Sequence, residues 1–134
     1  MRLEWELRTG TRTEFVDLTD RVRAAVESAR MREGSVLLFV PHTTAGLTLN
    51  ENADPDVLFD LTRALERLAP LQAGYRHGEG NSDAHVKSSL VGCSLTVPVS
   101  GGRLDLGTWQ AIYFCEFDGP RTRKVRIYLH PAPG

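Results

Sequence analysis

One stretch constrains the fold more than any other: Ser35-Val36-Leu37-Leu38-Phe39-Val40, fenced by Gly34 and Pro41. A continuous apolar run of this length reads as a central strand buried on both faces. Other elements can be arranged around it. Leu3, Trp5 and Leu7 alternate with charged residues, the period-two signal of a half-buried strand. Thr9-Gly10-Thr11 reads as a turn, and Phe15 to Leu18 as a second strand. Val22, Ala25, Val26 and Ala29 recur at helical spacing, with Thr19 or Asp17 as cap and Gly34 as terminator.

Downstream of the central run, Gly46 to Asn50 alternates again. Asp54-Pro55 opens a second helix with Asp54 at the N-cap and Pro55 at the first helical position. Val57, Leu58, Leu61, Leu65 and Leu68 form its buried stripe, and Pro70 stops it. Ser82 or Asp83 caps a short third helix to about Leu90, with His85, Ser88 and Ser89 near one face. Three strands follow, Ser94 to Val99, Gln110 to Asp118 and Lys124 to His130. Segregated helices and antiparallel-looking strands predict α+β rather than a doubly wound sheet: one domain over residues 1–134, with a mainly antiparallel sheet and about three helices.

Composition excludes several classes. A length of 134 residues allows one real core. A net charge of −1 gives no electrostatic footprint for a nucleic-acid partner. No apolar stretch approaches a membrane span. Met1 to Glu6 has no signal-peptide core, so the cytoplasm is the expected location. Cys93 and Cys115, without CxxC spacing, read as reduced core residues. Pro131 to Gly134 reads as a frayed tail.

Against this ordinary background, Arg76-His77-Gly78-Glu79-Gly80-Asn81-Ser82-Asp83-Ala84-His85 packs imidazoles, carboxylates, a carboxamide and a guanidinium into ten positions. That density suits a site that moves protons or binds a metal or an anion. His77, Glu79, Asn81, Asp83 and His85 supply nitrogen and oxygen donors, although their spacing matches no standard zinc signature. A solvated loop with a helix cap would use the same residues. A second polar cluster holds His42, Thr43, Thr44, Asn50, Glu51 and Asn52, with His42 at the rim of the core. A third runs from Ser100 to Gln110: its glycines permit close backbone approach, Arg103 offers a phosphate contact, and Trp109 a stacking surface. A hairpin loop with a core-anchoring tryptophan is the plainer reading of that segment.

His42-Thr43-Thr44-Ala45-Gly46, Asn50-Glu51-Asn52-Ala53-Asp54, Gly80-Asn81-Ser82-Asp83-Ala84-His85 and Gly107-Thr108-Trp109-Gln110 together resemble the motifs of the secondary thiamine-phosphate synthase (YjbQ-like) family, formerly an uncharacterised protein family. The likeness runs from about Trp5 to Leu129. It implies a compact α+β fold with a sandwich-like core, a homotrimer, and a transferase that joins hydroxymethylpyrimidine diphosphate to thiazole phosphate, releasing diphosphate. Within that frame, residue type assigns His42, Glu51, Glu79, Asn81, Asp83 and His85 to catalysis. It assigns His42, His77 and His85 to a divalent metal, zinc or magnesium, and Arg76, Arg103, Thr108 and Trp109 to holding a small phosphorylated metabolite. The same clusters would serve a metal-dependent phosphate-ester hydrolase, or a non-catalytic protein that captures a small anion.

Overall fold

The computed structural model describes residues 1–133. Strands β1 (Arg2–Arg8), β8 (Thr122–Pro131), β3 (Gly34–Phe39), β5 (Ser94–Ser100) and β6 (Arg103–Leu104) form one sheet in that order. Strands β2 (Glu14–Asp17), β7 (Gln110–Glu116) and β4 (Ala45–Glu51) form a second. All pairings are antiparallel. The predicted α+β class holds, with helices α1 (Thr19–Ser28), α2 (Pro55–Leu68) and α3 (Ser82–Val91).

The two sheets face each other. Val36, Leu38, Val97, Val125, Ile127 and Leu129 of the larger sheet meet Leu47, Ile112 and Phe114 of the smaller, and Val22 and Val26 of α1 join the same core. Each such aliphatic side chain contributes about 1.5–3 kcal/mol by leaving water. The other face of β7 carries Ala111, Tyr113 and Cys115, which pack with Ala84 of α3 and, at their margin, with Leu58 and Leu65 of α2. The order is therefore sheet, core, sheet, helices.

The central strand is correct in place but not in burial. β3 lies in the middle of its sheet, yet only Val36 and Leu38 are buried within it; Ser35, Leu37 and Phe39 point to the opposite face and stay half-exposed. Helix α1 does not run to Gly34. It ends at Ala29, and Arg30 takes the left-handed conformation at φ 53°. The Arg30 N–H donates to Glu27 O at 3.0 Å and the Met31 N–H to Val26 O at 3.2 Å, the two bonds of a Schellman termination. Gly34, at φ 147°, instead starts β3, where a Cβ would stand 2.2 Å from His130 O. Asp17, one of the two predicted caps, sits one position before the N-cap residue Leu18 and accepts from the Thr19 N–H at 2.9 Å and from its hydroxyl at 2.6 Å.

Helix α2 begins as the sequence predicts, with Asp54 accepting from Asp56 N–H at 2.9 Å. Its predicted stripe is only half-buried: Val57, Leu58, Leu61 and Leu65 are partly covered while Leu68 is 70% exposed, and Phe59, off the stripe, is 58% exposed. Cys93 is exposed rather than in the core, while Cys115 is buried, which pushes its thiol up to about 12. The C-terminal segment is tied at least as far as Ala132, whose N–H donates to Glu33 O at 2.8 Å; Gly134 lies outside the described residues.

Candidate functional site

Several of the candidate residues gather where β7 ends and β4 begins. At this end of the sandwich Glu116 of β7 and Arg123 of β8 meet across the two sheets, both fully buried. Arg123 Nε donates to Glu116 Oε1 at 2.8 Å, and its Nη2 donates to the second carboxylate oxygen and to Thr44 Oγ1 at 2.9 Å. Thr9 Oγ1 donates to Glu116 Oε1 at 2.8 Å, and the Asp118 N–H to Oε2 at 3.0 Å. Burial alone would raise the Glu116 pKa. The bonds from Arg123, the Asp118 N–H and Thr9 outweigh it and hold the carboxyl below its ordinary value.

A second set of charges continues from this pair to α3. Asp118 binds Arg12 at 3.3 Å and Arg121 at 2.9 Å. Arg12 also reaches Asp83 at 2.9 Å, and Asp83 holds the buried Lys87 at 3.3 Å. Asn81 donates to Asp118 Oδ2 at 2.8 Å. So Asn81 and Asp83, assigned to catalysis by residue type, are turned inward and brace the start of α3. The predicted caps, Ser82 and Asp83, are instead the first two residues of the helix; the N-cap position is held by Asn81, whose side chain makes no capping bond. Asn81 Oδ1 is buried without a partner, an acceptor that a donor from water or ligand would satisfy. Helix α3 is seated on β4 by Ser88, which donates to Ala45 O at 2.7 Å, and by the Leu47 N–H, which donates to Gly92 O at 3.0 Å. Gly46 lies beneath; a Cβ there would meet Gly92 O at 2.6 Å, which explains the glycine in the His42–Gly46 motif.

On the outside of this brace, His77 and His85 stand edge to face, centroids 5.3 Å apart. His77 Nδ1 lies 2.9 Å from Ser82 Oγ, and Nε2 lies 3.7 Å from Glu79. The pair opens into a groove of about 320 Å³ walled by Tyr75, Arg76 and Val86. Here the loop read from sequence does converge.

His42 is at the same end but differently engaged. Its Nε2 accepts from the Lys124 N–H at 2.9 Å. That bond fixes the tautomer with the proton on Nδ1 and takes Nε2 out of use as a metal donor. Among the described residues no three His, Cys, Asp or Glu side chains converge on one point. The expected set of His42, His77 and His85 is therefore not assembled within one chain. Burial first, and then the charge of Arg123, holds the His42 pKa below the usual imidazole value. The fold thus favours neutral His42. This contribution to stability is complete above pH about 6.5, the unfolded value, and is lost as pH falls through the folded pKa. Wild type is expected to lose stability below pH about 6.5 more steeply than His42→Gln, read by urea unfolding across pH; parallel slopes would remove His42 from the account.

The remaining candidates lie elsewhere. Glu51 pairs with Gln110, and the Asn52 N–H donates to Trp109 O at 3.3 Å, so Glu51, Thr108 and Trp109 occupy the opposite end of β7. That is roughly 20 Å away at about 3.3 Å per residue. Trp109 is 61% exposed and anchors no core. Arg103 sits on β6, against α1. Sequence reasoning missed Arg12, Lys87, Glu116, Asp118 and Arg123. Only the Asp83–Lys87 spacing of four residues signalled any of them.

Comparison with known proteins places the chain. Residues 3–131 match the family described as UPF0047 protein YjbQ-like. The UPF0047 protein of Methanocaldococcus jannaschii is 48% identical over 129 residues, covering 96% of this chain and 94% of the relative. YugU of Bacillus subtilis is 52% identical, covering 92% and 95%. A YjbQ/UPF0047 structure from Clostridium acetobutylicum superposes with TM-score 0.92 at 48% identity, covering 95% and 98%. A YjbQ-like protein from Sulfolobus solfataricus superposes at 0.94 with 29% identity, covering 98% and 97%. Two sheets, a helix layer and a sequence match over almost the full length agree, and this chain belongs to the UPF0047 YjbQ-like family.

Proposed function

We propose that this protein is a transferase of small phosphorylated metabolites, joining hydroxymethylpyrimidine diphosphate to thiazole phosphate. The observation that carries this reading is the His77–His85 pair beside Arg76 in one partly apolar groove. In the reaction a carbon–oxygen bond to diphosphate breaks, a carbon–nitrogen bond to the thiazole forms, and negative charge develops on the departing diphosphate. Arg76 presents a guanidinium fork to that charge. One imidazole of the pair, with the His77 ring oriented by Ser82 Oγ at 2.9 Å, donates a proton to the leaving oxygen. Tyr75 and Val86 lie against the flat heterocycle.

Zinc takes three or four converging side chains, which the described residues of one protomer do not bring together. Magnesium fits the donors better, since it enters such sites on substrate phosphates with one or two carboxylates, here Glu79. No step above depends on either ion. Among the described residues no helix is long and apolar enough to cross a membrane, and we place the reaction in the cytoplasm.

We also propose the homotrimer. Its support is the amphipathic α2, with Phe59 and Leu68 largely exposed, together with the exposed Trp109 and Leu90. A head-to-tail ring would bring the Glu51–Trp109 end of one protomer towards its neighbour. Sedimentation equilibrium should give a mass near three times 14.9 kDa; a monomer at micromolar concentration would overturn the assembly.

The deciding assay is thiamine phosphate formation from the two purified half-substrates at defined Mg²⁺ and Zn²⁺. Wild type is expected to turn over at about 1 s⁻¹ or more. His85→Ala is expected to lose roughly 10²–10⁴-fold with its unfolding midpoint unchanged. A trace rate, or one that the variant retains, overturns the transferase. Hydrolysis of simple phosphate esters, or stabilisation by ligand without turnover, would then assign the groove to the hydrolase or to binding alone.

A further inference from the structure

A cavity of about 400 Å³ lies between α1 and the β5–β6 hairpin, lined by Arg23, Val26, Glu27, Gly102, Arg103 and Leu104. That volume is within the range of small-molecule sites. The cavity is separate from the His77–His85 groove, because β5 runs from the α3 end of its sheet to the Ser100 turn, roughly 20 Å at about 3.3 Å per residue.

Its charge is unbalanced. Arg23 and Arg103 line it, and Arg32 adjoins it, with Nη1 3.2 Å from where a Cβ on Gly102 would stand. The Arg23 partner is Asp20 at 3.2 Å, a highly exposed i,i+3 pair of little worth, so the guanidinium is free to turn inward. Among the described residues no carboxylate lies within ion-pair distance of Arg32 or Arg103. Glu33 makes no ion pair with them among the described residues; its carboxylate accepts from the Gly101 N–H at 2.9 Å and holds the hairpin turn. Glu27 alone supplies negative charge at the lining.

We propose that this cavity is a second binding site, for the phosphate group of a small molecule. Guanidinium forks take phosphate oxygens in pairs. Val26 and Leu104 provide an apolar wall for an organic portion, and Glu27 accepts from a hydroxyl or amino group on it. Arg103 thus holds phosphate, as its residue type suggests, but at a place apart from the groove chemistry. The proposal reads binding and not turnover, so it stands or falls independently of the transferase.

The test is calorimetric titration of the full chain with inorganic phosphate and with phenyl phosphate, at constant ionic strength against chloride. Variants are Arg103→Ala, Arg23→Ala and His85→Ala. A saturable site weakened at least about 10-fold by either arginine change, the loss of one charged hydrogen bond, and unmoved by His85→Ala is the expected result. Tighter binding of phenyl phosphate assigns the site to phosphate esters; equal affinities assign it to the free ion. No saturation by about 10 mM, below even weak small-ligand affinity, overturns the proposal. So does binding that ignores both arginine changes, or that disappears with His85.

Discussion

Arg123→Met is expected to destabilise the fold by about 3–5 kcal/mol, because it strands the Glu116 carboxylate in the sandwich core. The two groups that share Glu116 with Arg123 cannot replace it, since Thr9 and the Asp118 N–H bring no full charge. For a chain of this length the cost is a fall of roughly 10–20 °C in the unfolding midpoint. The double change Arg123→Met with Glu116→Leu removes both charges and fills the space with apolar atoms, so it should recover most of the loss. Urea unfolding of the single and double variants measures both. A single-variant cost below about 1 kcal/mol, the range of an exposed pair, would show that water reaches Glu116.

Asp83→Ala is expected to remove turnover and about 3 kcal/mol of stability together. Asp83 is all but inaccessible, and so is the Lys87 ammonium that depends on it. Without the carboxylate the buried Lys87 ammonium loses its partner and draws α3 towards water, and Arg12 keeps only Asp118. That shift moves His85, two positions along the same helix. The informative comparison is Asp83→Ala with Lys87→Met. Removing both charges should restore stability, and turnover should return with it, since His77 and His85 are untouched. Stability regained without turnover would give Asp83 a part in the chemistry itself, the role its residue type suggests.

How much of this was legible depended on how far apart in the chain the partners lie. Alternation at Leu3, Trp5 and Leu7 marks β1, and helical spacing at Val22, Ala25 and Val26 marks α1. The Asp54-Pro55 pair marks the start of α2; each is a local signal within a few residues. The polar loop from Arg76 to His85 is local too, and its histidines do meet. The brace beneath them joins Arg12 to Asp83 and Asp118, and Thr9 to Glu116, across 71 to 107 residues of sequence. No periodicity reports such pairings. The end of α1 misled for another reason: a glycine was available at position 34, but the left-handed residue is Arg30, stabilised by Met31 and Val26 packing in the core. Strand β6, two residues inside a glycine-rich loop, is too short to carry any alternation. The stripe of α2 is legible as apolar, and Leu58 and Leu65 do pack against the chain's own second cluster; periodicity marks the face that avoids water but not how fully it is covered.

The seat of α3 on β4 has a consequence for how this protein fails. Strand β4 is the edge of its sheet, seven residues long, with Leu47 and Leu49 along it. An open edge of that kind is a template for pairing with another chain. Here the Leu47 N–H is taken by Gly92 O and Ala45 O by the Ser88 hydroxyl, so the helix that presents His85 also blunts the edge. Damage to the brace of α3 therefore does not leave a soluble, inactive protein. It uncovers a hydrophobic strand edge, and the route from a single lost charge runs to aggregation.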